Sequence, residues 1–141
     1  MSASLLLSIL QYEAEASDLQ SQILKETMSK NLKHKQSSAV ISQIRNRYSS
    51  EKEKIRNQIK SLDTSSASEE YSKLMAELNE IRDNEERDIT QEEEAATEYE
   101  NTIQLHIDND QTRLEAINAD LEQFKETNQE NVKEEFGYFQ K

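Results

Sequence analysis

Apolar residues recur along this chain at alternating steps of three and four residues. Such spacing averages about 3.5 residues and is typical of the inner stripe of a coiled coil. We therefore predict two long helices, one for each series of apolar positions. The first series is Leu5, Ile9, Tyr12, Ala16, Leu19, Ile23, Ile41, Ile44, Tyr48, Ile55, Ile59 and Leu62, and the second is Tyr71, Leu74, Leu78, Ile81, Ala96, Tyr99, Ile103, His106, Asp110, Leu114, Ile117, Leu121 and Phe124.

The two series are separated by the densest cluster of small hydroxyl residues in the chain, which follows Leu62. Serine and aspartate side chains compete for backbone hydrogen bonds and favour turns and helix starts. Ser66 and Glu69 fit a capping box, and Gly137 is suited to end a helix. We predict helix 1 at about 3–62, a turn at 63–66, helix 2 at about 67–136 and an aromatic tail at 137–141.

The two predicted helices carry opposite charge. Residues 1–62 hold ten basic and six acidic residues, whereas residues 63–141 hold seven basic and 23 acidic ones. Flanking charges of opposite sign select the partner and orientation of coiled-coil helices. We therefore predict an all-α fold, a long two-helix antiparallel coiled-coil hairpin. In it, residue i faces a residue near 130 minus i, and the basic stretch 25–60 faces the acidic stretch 70–105.

The predicted core is weakest in the middle of the hairpin. The stretch 29–38 offers only Leu32, and the stretch facing it offers Ala95, Ala96 and Tyr99. We expect little buried area there, with a bend or a shift away from heptad spacing. The stretch is either a local irregularity of a long coil or a hinge or additional partner site.

Composition excludes most classes of enzyme. One glycine, no proline and no cysteine leave little material for the turns of a sheet, for a phosphate-binding loop or for thiolate chemistry. His106, Asp108 and Asp110 alternate like metal ligands, but positions two apart on a helix point to different faces. His34 lies among lysines as a solvated side chain. We predict no catalytic residue, no metal and no cofactor.

The chain is acidic, with a formal net charge of -12 and a sequence pI near 4.6. Basic residues in the stretch 25–60 face acidic ones of the same chain, so we predict no binding of nucleic acid. The apolar run at 5–10 lacks a basic segment before it and is too short to span a bilayer. We expect no membrane span and, by default, a cytoplasmic protein, with export that uses no cleaved signal peptide left open.

A hairpin places both chain ends together, opposite the turn. The N-terminal leucines form an apolar patch wider than a two-helix core can cover, and three aromatic residues end helix 2. Excess apolar surface at one end marks a protein contact. Alternatively, the aromatic residues fold back over the leucines and close that end. The predicted partner-binding residues are Leu5, Leu6, Leu7, Leu10, Phe136, Tyr138 and Phe139.

A cysteine-free helical hairpin with unequal arms resembles the small helical proteins of type III secretion and flagellar export. The likeness covers about residues 3–136 and includes the stalk protein of the export ATPase and the shorter needle subunits. The proline usual in the needle-subunit turn is absent from residues 63–68. Chaperones and virion scaffold proteins share the outline, and the resemblance implies no particular functional residue.

Two functions follow as hypotheses. The first is a non-enzymatic structural protein, a helical rod that forms a homo-oligomer or packs into a larger assembly such as a filament, a secretion apparatus or a virion. The second is an adaptor or chaperone-like coiled-coil module that docks on a secretion or other multiprotein machine. In both, the partner is a protein.

Overall fold

The computed structural model describes residues 3–62 and 68–139, without the side chains of Ser68, Glu135, Phe136, Tyr138 and Phe139. It contains two α-helices, α1 (Ala3–Lys60) and α2 (Ser68–Phe139). The helices run antiparallel and pack against each other, and no strand occurs within these described ranges. The predicted all-α hairpin is confirmed.

The helix ends near the turn differ slightly from the prediction. α1 ends at Lys60, and the chain then tightens: Ser61 donates its N–H to the Asn57 carbonyl at 3.1 Å, and Leu62 donates to the Ile59 carbonyl at 3.2 Å. The second bond spans three residues, which is common where the last turn of an α-helix narrows. The predicted turn at 63–66, including Ser66 of the capping box, lies outside the described residues.

The prediction that Gly137 ends the second helix is wrong. α2 continues through Gly137 to Phe139, and this glycine does not adopt a positive φ. Nothing lies within 4 Å of the position that a Cβ would occupy there, so the glycine relieves no crowding. A glycine costs a helix about 0.5–1 kcal/mol but does not oblige it to stop. Much of the predicted tail at 137–141 is therefore helical.

The chain divides into two compact units. The terminal unit comprises Met1–Lys30 and Thr102–Lys141, and the central unit comprises Asn31–Asn101. In the terminal unit, Ile9, Ala16, Ile117 and Leu121 form a buried cluster. The rings of Tyr12 and Phe124 pack beside it with their centroids 5.4 Å apart. The remaining partly buried members are Leu5, Leu19 and Leu114.

The inner stripe of the terminal unit, meaning its row of inward-facing residues, keeps the predicted heptad spacing with one correction. His106 is exposed, and its neighbour Ile107 is buried instead. Because Ile103 and Asp110 also face inward, Ile107 continues the three-and-four alternation equally well. The larger free energy of burying isoleucine, compared with histidine, favours this choice.

Polar and small residues take a large part in the core of the central unit. Its buried residues are Ser37, Tyr48, Leu74, Leu78 and Ala96. The prediction that Leu32 supplies the core is wrong, because Leu32 is 56% exposed while Ser37 is buried. Three more expected core residues are exposed, namely Tyr71, Ala95 and Tyr99.

The spacing of the inward-facing residues explains these corrections. In the central unit, α1 follows steps of four, four and three residues, and so does α2. An eleven-residue repeat of this kind unwinds the left-handed supercoil that heptads impose. The expected shift from heptad spacing is confirmed. The residues are Lys33, Ser37, Ile41, Ile44, Tyr48, Lys52 and Ile55 on α1, and Leu78, Ile81, Glu85, Ile89, Glu92, Ala96 and Glu100 on α2.

The pairing register also differs from the prediction. A facing residue near 130 minus i would place Tyr12 opposite residue 118, yet its ring packs on Phe124. Likewise Tyr48 would face residue 82, yet it bonds to Asp88. The inward residues nearest the turn are Leu62 and Leu74, which line one groove of the central unit. The predicted register assumed that the chain folds back at the middle of the hydroxyl-rich segment, near residue 65. The packing of inward-facing residues sets a different register.

Candidate protein-interaction surface

The ion pairs that cross between the helices of the central unit join bases of α1 to acids of α2, as the charge pattern predicts. Lys52 Nζ lies 2.6 Å from Glu85 Oε2, and Arg47 Nη2 lies 3.1 Å from Asp88 Oδ2. His34 Nδ1 lies 3.2 Å from Glu100 Oε1. The Lys52–Glu85 pair is distinctive because the two side chains are only 19% and 16% exposed. Partly buried pairs are screened less by salt than exposed ones.

In the terminal unit the polarity of the ion pairs is reversed. Glu15 on α1 pairs with Arg113 on α2, and Glu13 Oε1 lies 3.4 Å from Lys125 Nζ. Summing charge over each half of the chain hides this reversal. These two pairs place the acid on α1 and the base on α2, although residues 102–141 remain acidic overall. Exposed pairs of this kind specify pairing more than they stabilise it.

Asp88 of α2 bonds to two side chains of α1. It accepts hydrogen bonds from the Tyr48 hydroxyl and from Arg47 Nη2, and the Arg47 guanidinium lies 4.7 Å from the centre of the Tyr48 ring. The hydrogen bond to Asp88, with a smaller contribution from burial, raises the pKa of Tyr48 above its ordinary value. This cluster links the two helices of the central unit.

The N-terminal leucines divide between two faces of α1. Leu5 packs inward against the cluster of Ile9, Ala16, Ile117 and Leu121. Leu6, Leu7 and Leu10 point outward and are 46%, 56% and 54% exposed. Of the predicted partner-binding leucines, three are therefore available at the surface. The aromatic side chains predicted beside them, Phe136, Tyr138 and Phe139, lie outside the described residues.

Two exposed residues of the same unit, Leu24 and Met28, were not among the predicted partner-binding residues. They are 61% and 62% exposed, more than any of the N-terminal leucines. Leu24 and Met28 belong to a second heptad series on α1, in which each residue lies two positions before a residue of the inner stripe. At about 100° per residue, that offset places it on the opposite face of the helix. This outer stripe is Ala3, Leu7, Leu10, Ala14, Ser17, Ser21, Leu24 and Met28, all exposed.

The described residues offer little for chemistry. Across 3–62 and 68–139, no three His, Asp or Glu side chains are grouped so that they could hold a metal ion. Asp108, one of the alternating acids, accepts a hydrogen bond from Gln104 Nε2 at 2.9 Å. In the same ranges, neither helix has the length of apolar sequence that crossing a membrane requires.

No family model, curated protein or solved structure matches this chain. The resemblance to proteins of type III secretion and flagellar export is therefore one of architecture, an antiparallel helical hairpin. The exposed leucines and Met28 form an apolar face on α1 of the terminal unit.

Proposed function

We propose that this chain is a non-enzymatic structural protein that self-associates through the outward leucines of α1 near its N-terminus. The observation that carries the proposal is the exposure of Leu6, Leu7 and Leu10 directly beside a well-packed core cluster. A helix that buries one apolar stripe in its own hairpin and presents further large apolar residues has surface to bury against another protein. The aromatic residues at 136, 138 and 139 are predicted to extend this contact.

Light scattering coupled to size exclusion tests the proposal on the full chain over a range of concentrations, with negative-stain imaging of the larger species. We expect the mass to rise above that of one 16.4 kDa chain as concentration increases. Leu7→Ser combined with Leu10→Ser should lower it while leaving helical circular dichroism intact, and Phe136→Ser with Phe139→Ser should do the same.

A matched control uses exposed apolar residues of the central unit. Val40→Ser with Tyr71→Ser removes similar apolar surface away from the terminal unit. That variant should assemble as the original chain does. A chain that stays monomeric at every concentration would contradict self-association and would favour the alternative of an adaptor that docks on a different protein.

A further inference from the structure

We infer that the outer stripe of α1 is an isologous dimer interface, on which a second copy of this chain docks antiparallel with its own outer stripe. The inference rests on the proposed self-association and extends it from the N-terminal leucines to Met28. It names the face, the partner and the symmetry of the contact.

The spacing of the outer stripe supports a helix partner. Its eight positions alternate by four and three residues without a break, which is the pattern that one helix presents to another in a coiled coil. The inner stripe of the terminal unit shows the same alternation and is already covered by α2. α1 is thus apolar or small on two opposite faces, and only one of them has a partner within the hairpin.

Charge favours a second copy over a foreign charged partner. One third of the residues in this chain are charged, yet none of the eight outer-stripe positions is. Two molecules of net charge -12 repel, so a contact between copies must use a face that carries no charge. An uncharged stripe, by contrast, offers nothing with which to select an acidic or a basic protein.

The positions of the outer stripe are symmetric about a point midway between Ala14 and Ser17. A twofold interface pairs residue i of one copy with residue j of the other and j with i. An antiparallel copy centred on that point therefore sets every outer-stripe position against another outer-stripe position. Leu7 meets the partner's Leu24, and the small residues Ala14 and Ser17 meet at the centre.

The outer face of α2 in the same unit is a weaker candidate. Its exposed heptad positions from 105 to 123 are also uncharged, but Leu105 is the one large apolar residue among them. The others are Asn109, Thr112, Ala116, Ala119 and Gln123. Burying this face would gain less apolar area and would require partners for the amides of Asn109 and Gln123.

Disulfide trapping tests the geometry, because the natural sequence contains no cysteine. A disulfide needs Cα atoms within about 7 Å. In the antiparallel dimer, residues 14 and 17 face each other beside the axis, so Ala14→Cys and Ser17→Cys should give a covalent dimer when mixed and mildly oxidised. Met28→Cys should not couple to itself, because its two copies would lie about 38 Å apart. Leu7→Cys and Leu24→Cys should cross-link when mixed and remain uncoupled when oxidised separately.

Charge insertion gives a second measurement. Leu24→Lys with Met28→Lys should lower the association constant at least tenfold, whereas Gln11→Lys with Gln20→Lys, which adds the same charge off the stripe, should not lower it. Association of the original chain should strengthen between 50 and 500 mM NaCl, since salt screens the repulsion between two acidic copies.

The outcomes separate this inference from the proposed function. A chain that remains monomeric contradicts both. A chain that assembles regardless of Leu24→Lys with Met28→Lys, or whose Met28→Cys variant cross-links to itself, overturns the antiparallel stripe and leaves self-association standing. Cross-linking in both mixed pairs, together with loss of assembly in the Leu24→Lys, Met28→Lys variant, supports it.

Discussion

The Tyr48 hydroxyl of α1 donates a hydrogen bond to the Asp88 carboxylate of α2, and this bond ties the two helices of the central unit. Tyr48 is also one of the few buried large side chains of that unit. The same residue therefore serves packing and polar pairing where apolar residues are sparse. The bond also determines how the hairpin should respond to alkali.

Stability should fall at alkaline pH through the titration of Tyr48. Its pKa in the folded chain is raised, chiefly by the hydrogen bond to Asp88, above the unfolded value of about 10. The contribution is complete below the unfolded pKa and is lost as pH rises through the folded one. In absorbance at 295 nm, one of the five tyrosines should ionise late, and Tyr48→Phe should remove that component.

Thermal melting followed by circular dichroism provides the matching measurement. Tyr48→Phe should lower the melting temperature at pH 7. Above pH 10, the melting temperature of this variant should fall less steeply with pH than that of the original chain. Tyr71→Phe alters an exposed ring and serves as the control, with no expected change. Equal alkaline slopes in Tyr48→Phe and the original chain would show that the bond does not form in solution.

Charge placed on the inner stripe of the terminal unit should unfold that unit. Ile117 and Leu121 are 5% and 7% exposed, so Ile117→Asp or Leu121→Asp buries a carboxylate without a partner and removes core packing. We expect each to cost about 4 kcal/mol or more, with a large loss of helical circular dichroism. Ala116→Asp, an exposed neighbour, should retain full helicity. Full helicity in Ile117→Asp would contradict the assigned inner stripe.

The largely buried Lys52–Glu85 pair should contribute more to stability than the exposed pairs. Lys52→Met leaves Glu85 largely buried without its cation, and we expect a loss of about 2–3 kcal/mol in the free energy of unfolding. Lys125→Met breaks an exposed pair with Glu13 and should cost less than about 1 kcal/mol. Urea unfolding measures the free energy of unfolding of both single variants and of the double variant Lys52→Met with Glu85→Met. The double variant leaves no unpaired charge and should lose less than Lys52→Met alone. Equal losses in Lys52→Met and Lys125→Met would contradict the larger contribution of the buried pair.

Replacing Glu26 should stabilise the terminal unit. Glu26 occupies an inner-stripe position between Ile23 and Lys30; its Oε1 accepts a hydrogen bond from Gln22 Nε2 at 3.0 Å, while Oε2 is buried and unbonded among the described residues. An unsatisfied buried oxygen costs about 1–3 kcal/mol. Glu26→Leu should raise the melting temperature, and Glu26→Gln, which keeps the shape and the polar atoms, should raise it less. A lower melting temperature in Glu26→Leu would disprove the assignment.

Much of the hairpin follows from local pattern. The heptad series from Leu5 to Ile23 and from Leu114 to Phe124 predicted inward faces that the structure confirms. The weak middle was also predicted, since the small and polar residues around Ser37 and Ala96 leave little apolar area. The exposed leucines at 6, 7 and 10 could be identified because three leucines in a row exceed the width of one stripe. Leu24 and Met28 were missed because they belong to a second series on the opposite face of α1, and its alanines and serines make that series less apolar than the inner stripe.

The sequence by itself determined that the chain forms two helices and that they pack as an antiparallel hairpin, because periodicity, propensity and charge pattern are properties of near neighbours. Only the tertiary structure decided the register that sets Tyr12 on Phe124 and the burial of Ser37 in place of Leu32. Those choices depend on contacts between residues far apart in the chain. Several alignments satisfy the local pattern almost equally, and the summed packing of one helix on the other selects among them.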